Sequence, residues 1–206
     1  MNPTFRNILI FLLLVFAGIF YVHKCQPTPD ISSKDYGNFS RISEEPFQKN
    51  IKEKISFGYK NFRITPLAEY EVVARVLSRH NYKKGKEAKL SPMDLVLGWG
   101  KMANLNITKD IKISQWGRWY YWKTKRFPIP RREIETHSAN THIIPATEEV
   151  YEILKKIKKH DIVHLKGKLV RVEDNNWYWQ SSLSRKDTGD GSCELFWVEK
   201  ASIKGN

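Results

Sequence analysis

The chain has 206 residues, a formal net charge of +13 and only two cysteines, Cys25 and Cys193. So few cysteines exclude a disulfide scaffold and give no zinc-ligand pattern. An apolar content of 41% excludes a chain that is disordered throughout. Seven Trp, nine Tyr and ten Phe favour a packed, β-rich interior, because flat rings suit pleated surfaces.

The first element is the uncharged run from Ile8 to Val22, ILIFLLLVFAGIFYV. As a helix it spans ~22 Å, short of the roughly 30 Å hydrocarbon layer. Phe5 and Asn7 extend it, and Lys24 can snorkel beyond it. Arg6 precedes the run, as in a signal peptide or signal-anchor. Val22-His23-Lys24 before Cys25 lacks the small residues of a lipoprotein site, and Val15-Phe16-Ala17 would cut inside the apolar run. An uncleaved anchor over residues 1–24 fits best, with a cleaved signal, or a soluble protein whose first helix packs in its own core, as the alternatives. Basic residues are nearly balanced across the span, so orientation rests on the short N-terminal tail staying inside. That places a single-pass protein in a membrane with its domain outside the cytoplasm.

Residues 25–45 are polar, carry Pro, Ser and Asp, and read as a tether. A domain is expected over 46–206. Lys54 to Ile64 reads as a hairpin around Gly58, and Glu69 to Arg79 as a strand rich in β-branched residues. A basic loop, Lys83 to Lys89, follows. Ser91-Pro92 reads as an N-cap with Pro at N1, opening a short helix through Met93-Asp94-Leu95-Val96-Leu97 that Gly98-Trp99-Gly100 ends. Ile111 to Trp122 reads as one strand, Phe127 to Pro130 as a turn, and Arg132 to Thr136 as another strand. Thr147 caps a helix with a buried stripe of Val150, Ile153, Leu154 and Ile157. Its acids lie at the positive end and its lysines near the negative end, as the helix dipole favours. Asp161 to Val172 alternates as a strand until Val170 and Val172 break the pattern. Trp177 to Leu183 and Glu194 to Val198 are further strands, joined by a loop holding Asp187-Thr188-Gly189-Asp190-Gly191. Short strands with two short helices predict an α+β domain, or a small, partly open barrel of the oligonucleotide/oligosaccharide-binding type.

Four groups of residues carry a resemblance. They are Leu90 to Leu95 with Gly98-Trp99-Gly100; Arg118 to Trp122; Ser138 to His142 with Ile144-Pro145-Ala146; and Ser181 to Arg185 with Asp187-Thr188-Gly189 and Gly191 to Glu194. Together they resemble a family of bacterial proteins with one N-terminal membrane segment and no assigned function. The resemblance implies a bacterial origin and a membrane-tethered domain, and brings no activity, cofactor or catalytic residue.

Candidate chemistry falls into two classes. A thiol-dependent envelope enzyme needs a cysteine beside a base, often oriented by an acid. Cys193 after a Gly-rich loop, His142, and Asp187 or Asp190 are the candidates, set against a buried cysteine, a satisfied histidine and acidic turn residues. The other class is binding. Without Arg6 and Lys24 the remainder holds 33 basic and 22 acidic residues, a net of +11 that attracts polyanions. Aromatic and basic residues interleave at Arg118, Trp119, Trp122, Arg126, Arg131 and Arg132, and again at Trp179 and Arg185. Exposed rings beside cations stack bases or sugars while the charges hold phosphates. In a strand, however, alternate rings face inward. The leading expectation is therefore a membrane-tethered, non-enzymatic binding or assembly module. Its partners would be a polyanion, a glycan or an envelope protein, with cytoplasm-facing nucleic-acid binding as the alternative. No cofactor and no metal are expected. His137 and His142 match no common zinc spacing, and the segment from Asp187 to Glu194 lacks the alternating oxygen ligands of a calcium loop.

Overall fold

The computed structural model describes residues 39–189 and 191–205. The expected anchor and most of the tether lie outside the described residues. Among those described, no helix is long and apolar enough to cross a membrane. From the first described residues on, the end of the expected tether packs on the rest. After the 3-10 turn Phe39–Ser43, Glu45 Oε2 accepts from Trp99 Nε1 at 3.0 Å, and Arg41 Nη1 meets Glu71 at 3.1 Å.

The domain is α+β and dominated by strands: β1 (Phe47–Asn50), β2 (Phe57–Tyr59), β3 (Phe62–Asn81), β4 (Met93–Gly98), β5 (Lys112–Trp116), β6 (Trp119–Lys123), β7 (Ser138–Pro145), β8 (Ile162–Asp174), β9 (Trp177–Gln180) and β10 (Glu194–Lys204). Strand β3 organises the sheet. Along one edge it pairs in turn with β2, β1 and β4, and along the other with β8. Strand β4 pairs with β7, β7 with β10, and β10 with β8, so β3-β4-β7-β10-β8 closes on itself. Only β7 and β10 run parallel in that ring. Closure leaves no unpaired edge along the ring's shared stretches. Sharp curvature is provided by register shifts, two of them in β3 at Pro66/Ala68 and Val76/Ser78. Where β8 crosses β10, Gly167 has no Cβ because one would overlap Trp197 O.

Three apolar clusters follow from this geometry. The ring encloses the first, with Ala68, Tyr70, Val72, Leu95, Leu165 and Phe196 among its members. The Glu148–Lys156 helix, capped by Thr147 as expected, adds Val150 and Leu154, and Ile157 follows at its C-cap. The other two clusters lie on the opposite, outer face. One gathers Ile64, Leu90, Ile144, Val170 and Val172 under the half-buried Trp177 and Trp179. This explains why β8 breaks its alternation. Leu169 belongs to the enclosed core, while Val170 and Val172 face the outer one. The third packs Ile107, Met102, Ile113, Tyr120, Trp122 and Ile134 against Leu77 and Val96. It is built by the segment between β4 and β7.

Four expectations are corrected. Met93–Gly98 is a strand, buried at every residue, and the helix is Lys86–Leu90 just before it. Ser91 is that helix's C-cap. A six-residue apolar run fits either state by pattern alone, and its pairing with β3 and β7 decides. Residues Arg131–Thr136 form a helix, not a strand. The stretch read as one strand over 111–122 is the two-stranded hairpin β5–β6, turned by Gly117 (φ 58°) and Arg118 (φ 71°). Two successive positive φ values make the tight turn whose twist matches antiparallel strands. Finally, the described residues hold four short α-helices, the fourth being Leu105–Thr108, where two helices were expected.

Candidate functional site

The outer face of β4 and β7 carries a buried polar group. Asp94 and His142 stand directly opposite each other across the strand pair, and both are almost wholly buried. Arg118 reaches in from the β5–β6 turn, and its Nη1 meets Asp94 Oδ1 at 2.7 Å. His142 Nδ1 lies 2.9 Å from the same oxygen but off the line of a hydrogen bond. Arg118 Nη2 donates to Ser91 O at 2.9 Å. The guanidinium sits 3.5 Å above the Tyr82 ring and 5.5 Å from that of Trp179. Arg118 N donates to the Tyr82 hydroxyl, and Asn140 Nδ2 donates to Arg118 O at 2.8 Å. Burial, reinforced by the Asp94 carboxylate, pushes the Tyr82 hydroxyl well above its ordinary range. The left-handed conformation of Arg118, uncommon for a residue with a side chain, is thus held from every side. This group anchors the hairpin to the ring.

A second buried pair joins Arg185 to Glu194. Arg185 Nη1 lies 2.5 Å from Glu194 Oε1 and 3.2 Å from the Tyr70 hydroxyl, and Nη2 donates to Ser182 O. Burial pushes the Glu194 carboxyl up to about 7, against the attraction of Arg185. This pair fixes the loop between β9 and β10. Ser182 Oγ donates to Asp187 Oδ2 at 2.6 Å, and Arg132 Nη2 donates to Lys186 O at 2.8 Å, so the loop is tied at three points.

Cys193 lies next to Glu194, where burial and that carboxylate raise its thiol to about 12. Its sulfur is 3.8 Å from Asn140 Nδ2. His142 is given to Asp94 and to the Trp179 ring at 4.5 Å. No hydrogen bond joins His142 to Cys193 among the described residues, and Asp187 is given to Ser182. Asp190 lies outside the described residues. A thiol at about 12 holds a negligible thiolate fraction at neutral pH.

The eight candidate binding residues separate in the same way. Arg118 and Arg185 are consumed by buried ion pairs, Trp122 faces the third cluster, and Trp179 packs on His142 and Trp177. Trp119, Arg126, Arg131 and Arg132 remain at the surface, with Arg131 joined to Glu135 at 2.7 Å. The inward set follows from β5–β6 alternation. Ile113, Gln115, Tyr120 and Trp122 face the ring, and Trp116, Trp119 and Tyr121 face outward.

Beside this hairpin lies a cleft of about 1140 Å³. Six cations line it: Lys109, Lys112, Lys123, Lys125, Arg126 and Lys159, against the single carboxylate of Asp110. None of the six forms an ion pair among the described residues, whereas Arg118, Arg131 and Arg185 are all paired. Lys109, Lys112 and Lys159 were missed by sequence reasoning because folding brings together segments far apart in the chain. Asp94 carried a usable signal, as an acid set among apolar residues. Among the described residues, no three His, Cys, Asp or Glu side chains converge as metal ligands. The chain matches no protein-family model, no curated protein and no solved structure.

Proposed function

We propose that the chain is a membrane-tethered, extracytoplasmic binding module whose folded part holds a linear polyanion in the basic cleft beside β5–β6. The observation that carries this reading is the set of six cations gathered there without carboxylate partners. Unpaired like charges repel each other and gain from an anion spanning them. Elsewhere the same fold neutralises its cations inside, as at Arg118 and Arg185.

The strand order supports a barrel of the oligonucleotide/oligosaccharide-binding type. A five-stranded ring with one parallel pair, and a helix between its third and fourth strands, matches that architecture. Such barrels bind along the outer face of their second and third strands, here β4 and β7. In this chain that face is covered by the segment between those strands, through Met102, Ile134, Tyr120 and Arg118. The ligand surface is thereby moved outward, onto the exposed side of the covering segment. The apolar run from Ile8 to Val22 supports the tether, and the resemblance supports its bacterial setting. The thiol-dependent alternative draws no support from a cysteine thiol raised to about 12.

Full-length protein in detergent, titrated with fluorescent inorganic polyphosphate at rising salt, tests the binding. The expected result is an affinity that falls steeply with salt. Lys109→Glu with Arg126→Glu should weaken it by about tenfold, ~1.4 kcal/mol. Binding that ignores both salt and charge reversal overturns the proposal. A reporter fused to the C-terminus, silent on the extracytoplasmic side and active in the cytoplasm, tests the orientation. Activity moves the ligand to the cytoplasm, where nucleic acid is available.

A further inference from the structure

A second cleft, of about 560 Å³, opens on the other side of β6. Lys123 and Thr124 line both clefts, so only the end of one strand separates them. Their chemistry differs. In the second cleft the described lining residues include two cations, Lys123 and Arg131, and two carboxylates, Glu135 and Asp187. Among these described residues the charge is balanced, and Arg131 is already joined to Glu135. Its walls present the rings of Trp119, Tyr121 and Phe127, which are 38%, 48% and 55% exposed. Its volume lies in the usual range for small-ligand sites.

The carboxylate from the loop is held in place before any ligand arrives. Asp187 accepts from Ser182, and the loop around it is fixed by Arg185 on Glu194 and by Arg132 on Lys186 O. A pre-set acceptor spares a ligand the cost of ordering it. Flat amphipathic rings give the apolar C–H face of a sugar a platform, and carboxylates accept from its hydroxyl groups. A nucleotide also fits the rings, but its phosphate would meet two carboxylates as well as two cations, so this cleft offers it no net charge attraction. These observations favour a sugar over a base.

We propose that this cleft takes a neutral sugar ring, so that the polyanion spanning both clefts is an acidic glycan in which uncharged rings alternate with charged ones. The glycan's charged groups lie in the basic cleft and a neutral ring lies beside Trp119 and Asp187. This inference rests on the polyanion reading of the basic cleft, and the test separates the two.

Full-length protein in detergent is titrated with four probes: a hyaluronan oligosaccharide, inorganic polyphosphate and oligothymidylate of equal charge number, and an uncharged chitotriose. The wild type should bind hyaluronan about tenfold more tightly than either of the other polyanions. Trp119→Ala and, separately, Asp187→Asn should remove that margin and leave polyphosphate binding unchanged. Lys109→Glu with Arg126→Glu should weaken all three polyanions and spare chitotriose. Equal binding of hyaluronan and polyphosphate by the wild type overturns the sugar site and leaves the basic cleft standing. So does a Trp119→Ala variant that weakens every polyanion alike. Tightest binding of oligothymidylate replaces the glycan with a single-stranded nucleic acid. Chitotriose binding without any polyanion binding removes the basic cleft and the acidic glycan and leaves the neutral-ring site. Binding of none of the probes removes both.

Discussion

Replacing Glu194 with glutamine takes the acid out of the buried pair with Arg185 while keeping the side chain's size and shape. The wild-type carboxyl titrates at about 7 in the folded protein, raised from 4.5 by burial, with Arg185 pulling it down. In the unfolded chain it titrates at its ordinary 4.5. Between these values the folded protein keeps a proton that the unfolded chain has lost. Stability contributed by this group is therefore complete below pH ~4.5 and is lost as pH rises to about 7. A gap from 4.5 to about 7 corresponds to ~3 kcal/mol at 1.36 kcal/mol per pKa unit. The glutamine variant has no such titration. Urea unfolding followed by tryptophan fluorescence at several pH values between 4.5 and 8 gives both stabilities. The wild-type advantage over Glu194→Gln should shrink by ~3 kcal/mol across that interval and stay level above it. Taking the difference cancels the titration of other groups common to both proteins. A difference that is constant, or that grows with pH, would refute burial as the dominant influence on Glu194.

Other expectations test other parts of the fold. Arg118→Ala leaves Asp94 buried without its cation and should cost about 3–5 kcal/mol in the same unfolding assay; loss below 1 kcal/mol would show that the pair is not what holds the hairpin. Cys193 should resist iodoacetamide at pH 8 in the folded protein and react once urea is added, as read by peptide mass mapping; rapid native labelling would restore the thiol as a candidate nucleophile. Leu154→Ala, which empties a fully buried position in the enclosed core, should cost about 2–5 kcal/mol, measured by thermal or urea unfolding. Gly167→Ala should abolish soluble folded protein, because its Cβ would meet backbone rather than a side chain that can move.

Much of the fold was legible where one residue pattern suffices. The Glu148–Lys156 helix was readable because Thr147, the acidic first turn and the apolar stripe agree, and Thr147 Oγ1 does accept from Val150 N. The centre of β3 was readable from its β-branched content, and most of β8 from its alternation. Met93–Gly98 was not, because burial on both faces erases the alternation that marks a strand. The hairpin turn at Gly117-Arg118 was hidden by Arg118, whose positive φ is stabilised by contacts with Asp94, Tyr82 and Asn140 rather than by local preference. The same gap limits the site. The interleaving of rings and cations was visible, but the inward partners of Arg118 and Arg185 lie 24 and 9 residues away along the chain. Sequence alone therefore could not say which arginines were consumed internally. It could not assemble Lys109, Lys112 and Lys159 around one cleft either.

The length of β3 has a further consequence. This one strand contributes side chains to all three apolar clusters: Val72 to the enclosed one, Ile64 to the second and Leu77 to the third. Its partner β8 is far along the chain, with Arg63 opposite Glu173 and Arg75 opposite Ile162. Contacts so remote require large loops to close before they are rewarded, which slows folding. The molecule should then melt in a single transition rather than in stages, and a break in the backbone anywhere along β3 should release all three clusters together.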